Sequence, residues 1–111
     1  MNQSNLIRDI ISTYRKHGWQ LRRVLMRADT RAEVFAKEEV LFKGARIDES
    51  PFDALWFSRA SHSNREAWEL RLVAETPYAL FEILEADESE ELREAARMEM
   101  EARLREYVTR A

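Results

Sequence analysis

The sequence predicts an α+β fold: a four-stranded, mainly antiparallel sheet with helices packed mostly on one face and a long C-terminal helix. Residues 53–86 contain three runs rich in aromatic and branched side chains, separated by polar turns, which is typical of a β-meander. Residues 87–111 have the four-residue apolar spacing of an amphipathic helix. That spacing is set by Leu92, Ala96, Met100, Leu104 and Val108.

A helix and a strand are predicted before the meander. The helix covers residues 4–17, because its isoleucines fall on one stripe. Ser4 or Asn5 is expected to cap its start, and Gly18 to end it in a left-handed conformation. The strand follows over residues 19–26.

The alternation of this first strand is imperfect. Leu21 and Leu25 are predicted on one face, and Val24 and Met26 on the other. Arg23 interrupts the face that carries the two leucines, so the alternation pattern is imperfect.

The segments between the runs carry their own signatures. A capping-box pattern at Thr30 predicts a second helix. Its end near Phe42 stays open, because the short apolar run there also suits an extended segment. Residues 48–51 are predicted as a loop, and residues 61–64 as a turn. We expect a tight hairpin with a trans bond at Pro77, against the alternatives of a cis bond or one kinked strand.

Composition restricts the class of protein. A chain of 111 residues with 45% hydrophobic and 35% charged side chains is expected to form one domain over residues 1–111. It has no cysteine and only two glycines, which excludes disulfides, thiolate metal sites and glycine-rich phosphate loops. We therefore expect no metal and no cofactor. The missing signal peptide and membrane span predict a cytoplasmic protein, and the two histidines are better explained by a helix end and a turn than by catalysis.

Charge is distributed unevenly along a chain of net charge -3. Residues 1–31 carry seven basic and two acidic side chains, whereas residues 85–111 carry nine acidic and five basic ones. The simpler interpretation is that the first strand and the last helix are neighbours with complementary charge. The alternative is an anion-binding patch, for which the acidic total makes nucleic acid an unfavourable partner. Its residues would be Arg22, Arg23 and Arg27.

Apolar residues fall on both faces of the meander. Trp56 must point away from Leu55 and Phe57, so the second face mixes apolar with charged side chains. Either a helix covers part of that face or the face meets another molecule. The candidate residues for binding a partner or ligand are Trp56, Arg59, Glu69, Arg71 and Glu82.

Three functions follow from these patterns. The leading hypothesis is a non-enzymatic interaction or regulatory domain that forms a homodimer or binds another protein through the mixed sheet face. The second is a small-molecule-binding protein or enzyme, with a pocket between sheet and helices near Trp56 or Trp68. The third is weak binding of anions or nucleic acid through the N-terminal arginines.

Overall fold

The computed structural model describes residues 2–110, apart from the side chains of residues 37–39. It shows an α+β fold with three α-helices, a short 3₁₀ helix (Glu39–Phe42) and one sheet. The elements are α1 (Gln3–Lys16), β1 (Gln20–Met26), α2 (Ala28–Glu38), β2 (Arg46–Glu49), β3 (Ala54–Ser61), β4 (Arg65–Leu72), β5 (Ala79–Glu85) and α3 (Glu90–Arg110).

The sheet is mixed and has five strands in the order β2-β1-β3-β4-β5. The α+β class, the antiparallel β3-β4-β5 meander and the long C-terminal helix are confirmed. The prediction of four strands is wrong, because β2 adds a fifth that runs parallel to β1. Its sequence, Arg-Ile-Asp-Glu, has a single apolar side chain, so neither length nor alternation marks it as a strand. The α2 connection nevertheless carries it back alongside β1.

One face of the sheet is covered by α1 and α2. Ile7 and Ile11 of α1 and Val34 of α2 are completely buried against it. Their partners in the sheet include Leu55 and Phe57 of β3, which are also inaccessible to solvent. This face is called the α1 face below.

The opposite face is covered by α3. Trp56, Trp68 and Leu70 pack with Met100 and Leu104 of the helix in a second core. Two of the three α-helices therefore share a face, while the third lies across the sheet. The alternative in which a helix covers the second face is the one observed, and this face is called the α3 face below.

A β-bulge in β1 explains the imperfect alternation. Leu21 and Arg23 pair with consecutive residues of β3, and Arg22 is the additional residue between them. As a result Leu21 and Val24 belong to the α1 face, while Leu25 and Arg23 lie on the α3 face. The prediction that Leu21 and Leu25 share a face is wrong. One inserted residue moves every later side chain of the strand to the opposite face of the sheet.

Helix α1 begins earlier than its predicted cap. The Asn2 side chain accepts a hydrogen bond from the Asn5 backbone N–H at 2.8 Å, so Asn2 is the N-cap rather than Ser4 or Asn5. The stop at Gly18 is confirmed, since its φ of +83° is a left-handed value that glycine adopts without a Cβ clash.

The two meander connections differ from each other. The turn at residues 61–64 is confirmed, with Ser63 and Asn64 at φ of 55° and 59°. The second connection spans residues 73–78 and is longer than the predicted tight hairpin, while Leu72 N–H still donates to the Tyr78 carbonyl at 2.9 Å. The described residues include no cis peptide bond, so Pro77 is trans.

Helix α3 buries most of the stripe predicted for it, since Met100 and Leu104 are buried and Ala96 and Val108 pack against the same core. Its fully buried residues are Arg97, Met100 and Leu104, whereas Leu92 is 57% exposed. Ser89 provides the cap, because its hydroxyl accepts from Leu92 N–H at 3.3 Å. None of the helices in the described part of the chain has the length and apolarity that crossing a membrane requires.

Buried Asp53 joins three elements. Its carboxylate accepts from Thr30 Oγ1 at 2.7 Å, from Gln3 Nε2 at 2.9 Å and from the Arg27 backbone N–H at 2.8 Å. Thr30 therefore does not cap α2, which already begins at Ala28. The hydroxyl that resembled a cap instead ties α2 to the start of β3.

We predict that Asp53→Ala lowers the free energy of unfolding by about 3 kcal/mol, because it leaves three donors without their acceptor. Urea unfolding followed by tryptophan fluorescence measures this. The matched control is Asp48→Ala, since that carboxylate is exposed and pairs only at the surface with Arg46. We expect the control to cost about 0.5 kcal/mol or less. Equal losses in the two variants would contradict the role assigned to Asp53.

Candidate functional site

Strand β5 forms one outer edge of the sheet and exposes apolar side chains. Phe81 is 53% exposed and Ile83 is 39% exposed. Both alternate with Leu80 and Leu84, which pack on the α3 face, so they lie on the α1 face. Beside them, α1 reaches as far as β4 through Tyr14 and leaves this part of the sheet uncovered.

A shallow depression of about 610 Å³ lies next to these side chains and is called the β5 hollow below. It combines apolar side chains of β4 and β5 with polar groups from the end of α1 and the β3-β4 turn. It is lined by His17, Gly18, Arg59, Ala60, Ser61, His62, Ala67, Phe81 and Ile83.

Arg59 gives the β5 hollow an ordered cationic rim. Its guanidinium carbon lies 4.5 Å from the centre of the Trp19 ring, and its Nη1 donates to the His17 carbonyl at 2.8 Å. The Trp19 ring in turn meets Phe81 edge to face, with 6.4 Å between ring centres. The arginine is therefore held beside the exposed aromatic ring.

Glu69 and Arg71 border the same face towards α1. Tyr14 stacks on Phe57 with 4.0 Å between ring centres, and its hydroxyl donates to Glu69. Burial, and then the hydrogen bond to Glu69, raise the pKa of Tyr14 from 10.0 to about 12, against the opposing effect of Arg71. The tyrosine is thus a neutral donor that fixes the Glu69 carboxylate.

The other two predicted binding residues lie on the α3 face. Trp56 is completely buried, and its Nε1 donates to Glu101 Oε2 at 2.7 Å. Glu82 borders a separate depression beneath α3, together with Glu99 and Arg103. The structure therefore brings Arg59, Glu69 and Arg71 onto one face and separates them from Trp56 and Glu82.

A polar depression of about 380 Å³ lies on the α3 face, between β1, β2, β4 and the first turns of α3. Five arginines dominate its walls, and it is called the arginine groove below. It is lined by Arg22, Arg23, Arg46, Glu66, Trp68, Glu90, Arg93 and Arg97.

Charge pairs join β1 to α3 in this groove. Arg23 binds Glu94 with two hydrogen bonds, at 3.1 Å and 2.6 Å, and Arg97 Nε donates to the same carboxylate at 3.0 Å. The hydrogen bond from Arg23, with a smaller one from Arg97, lowers the pKa of Glu94 against the effect of burial. The interpretation that the first strand and last helix are neighbours with complementary charge is consistent with this contact.

Arg97 is the most buried charged residue of the groove, at 1% exposure. Its guanidinium carbon lies 4.5 Å from the centre of the Trp68 ring, and it also pairs with Glu90. Within the described residues, its Nη1 and the Nε of Arg93 are buried without a hydrogen-bond acceptor. Donors left in this state are uncommon in folded proteins.

The arginine groove overlaps only in part with the patch expected from sequence. Arg22 and Arg23 line it, whereas Arg27 pairs with Asp29 at the start of α2. Sequence reasoning missed Arg46, Arg93 and Arg97. Arg93 and Arg97 were missed because a charged residue on the buried side of a helix does not appear in the apolar pattern. Arg46 was missed because β2 was not predicted as a strand.

The described residues contain two histidines and no cluster of metal-ligating side chains. Among these described residues, no group of three or more His, Cys, Asp or Glu side chains is placed to hold a metal ion. The Nδ1 atom of His17 lies 2.9 Å from the Thr13 carbonyl at the end of α1. The arrangement supplies apolar contact at the β5 hollow and hydrogen-bond donors in the arginine groove.

We predict that Tyr14→Phe removes one late step from the alkaline titration of the tyrosines. The native state favours the neutral phenol of Tyr14, because its pKa is raised from 10.0 to about 12. The stability that Tyr14 contributes is therefore present below pH 10 and is lost as the pH rises towards about 12. Absorbance of the phenolate band measures this step. The matched control is Tyr107→Phe, which leaves the Tyr14 environment intact and should retain it. A late step that survives in Tyr14→Phe would contradict the assignment.

Comparisons with protein-family models, curated proteins and solved structures find no match to this chain.

Proposed function

We propose that this chain is a non-enzymatic interaction domain of the cytoplasm that self-associates through β5 and the β5 hollow. The observation that carries the proposal is the exposure of Phe81 and Ile83 on an outer strand. Neighbouring exposed apolar side chains on a sheet edge favour contact with another surface over contact with water. The absence of cysteine is compatible with a reducing compartment.

The two edges of the sheet differ in their ability to pair. β2 has four residues, three of them charged, which are features that discourage edge-to-edge pairing. β5 has seven residues, five of them apolar, and its outer side offers backbone N–H and C=O groups to a further strand. The geometry therefore favours β5 as the associating edge.

A second copy of the chain suits this edge. Antiparallel pairing of two β5 strands about a two-fold axis perpendicular to the sheet keeps the same face of both copies on the same side. In the register centred on Glu82, Phe81 of one copy lies opposite Ile83 of the other. Apolar pairs then form on the α1 face without any change in fold.

Repulsion between like charges limits the affinity of a dimer that pairs in this register. It sets the two Glu82 side chains directly opposite each other, which is unfavourable for like charges. Arg103 borders the same depression as Glu82 and can offset part of this repulsion. We therefore expect a dimer of micromolar rather than nanomolar affinity.

We predict that Phe81→Lys weakens self-association at least about tenfold, because it removes an apolar contact and sets a charged side chain opposite Ile83 of the second copy. Sedimentation velocity of the full chain from about 1 µM to about 100 µM measures the equilibrium. The matched control is Val40→Lys, which places the same charge at a residue that is 78% exposed outside the sheet. We expect this control to dimerise like the parent chain.

Circular dichroism of each variant checks that the fold is retained. A parent chain that stays monomeric over the whole concentration range would refute self-association. Equal weakening by Val40→Lys would show that net charge, rather than the β5 edge, controls the association.

A further inference from the structure

We propose that the arginine groove binds a small multivalent oxyanion, such as a diphosphate, a phosphate ester or a polycarboxylate. The proposal rests first on Arg97, which is 1% exposed and retains an Nη1 donor with no acceptor among the described residues. Arg93 has a second such donor at Nε. Two unpaired donors in neighbouring turns of one helix leave the groove short of negatively charged oxygen atoms.

Donors outnumber acceptors in the groove as a whole. Its five guanidinium groups carry about 25 N–H donors, whereas the nearby carboxylates offer about 16 acceptor positions. Those carboxylates either line the groove or pair with its arginines. They are Asp48, Glu66, Glu90 and Glu94. The internal charge pairs therefore leave guanidinium donors over, which water can meet at the exposed Arg22 and Arg46 and an added oxyanion can meet inside the groove.

Two of the arginines are placed to meet a ligand from solvent. The bulge in β1 turns Arg22 outwards, where it is exposed. The Arg46 side chain is 55% exposed on β2, whose parallel pairing sets it beside Arg23. Their guanidinium groups can close on an oxyanion through paired N–H···O bonds, the geometry in which arginine binds phosphate and carboxylate well.

The shape of the groove favours a small ligand over nucleic acid. Its aromatic residue, Trp68, is only 5% exposed and lies against Arg97, so no base can stack on it. The chain is also acidic as a whole, with a net charge of -3 that opposes a long polyanion. A volume of about 380 Å³ accommodates a compact anion.

Isothermal titration of the full chain with sodium pyrophosphate, and separately with citrate, tests the site. Sodium chloride of equal ionic strength is the blank, since salt screens non-specific attraction. We expect one saturable site per chain. Arg22→Ala and Arg46→Ala should each weaken binding at least about tenfold, because each removes charge-assisted hydrogen bonds.

The matched control is Arg27→Ala. It removes the same charge from an exposed arginine that pairs with Asp29 outside the groove. We expect its affinity to stay within about twofold of the parent chain. Arg97→Lys keeps the charge but lacks the planar fork, and its affinity should fall if the variant unfolds in urea like the parent.

The possible results distinguish phosphate from polycarboxylate ligands, and they distinguish the arginine groove from the β5 hollow. Binding of pyrophosphate alone assigns phosphate chemistry, binding of citrate alone assigns polycarboxylates, and binding of both supports the shared site. No saturable binding of either anion, or equal weakening by Arg27→Ala, would overturn the proposal. Phe81→Lys should bind the anion normally, so that failure of self-association and failure of this site are distinguishable.

Discussion

Burial of β3 on both of its faces is the constraint on which this structure depends. Leu55, Trp56 and Phe57 are consecutive, and all three are inaccessible to solvent. Because neighbouring side chains of a strand point in opposite directions, such a run is stable only when both faces of the sheet are covered. Helices α1 and α2 provide one cover, and α3 provides the other after the chain has completed the meander.

The polar groups of the α3 face follow from the same burial. A buried indole needs an acceptor for its N–H, and Glu101 of α3 supplies one to Trp56. Trp68 donates instead to Glu66 at 3.2 Å and lies against Arg97. The helix that covers the tryptophans also carries charged side chains inwards, and two of these, Arg93 and Arg97, line the arginine groove beside the apolar core.

Regular spacing of apolar residues made the meander and the last helix predictable. Where that spacing is weak or interrupted, as in β2 and at the bulge of β1, the structure was not predicted. β2 is too short and polar to be recognised as a strand, and the bulge at Arg22 changes the direction of side chains without changing composition. The same limits apply to the candidate sites. Alternation places Glu69 and Arg71 together correctly, but it cannot say which face a distant helix will cover. Alternation therefore leaves Trp56 available for binding, and it does not indicate the buried position of Arg97.

The order of elements along the chain has a consequence for synthesis. The cover of both tryptophans is α3, which leaves the ribosome after all five strands. A nascent chain that ends near residue 89 would hold a sheet whose α3 face is open to solvent. Helix α1 likewise makes a contact with distant sequence, since Gln3 Nε2 donates to the Val73 carbonyl at 3.1 Å. The α3 face therefore stays exposed until α3 has docked, and exposed aromatic surface of this kind favours aggregation.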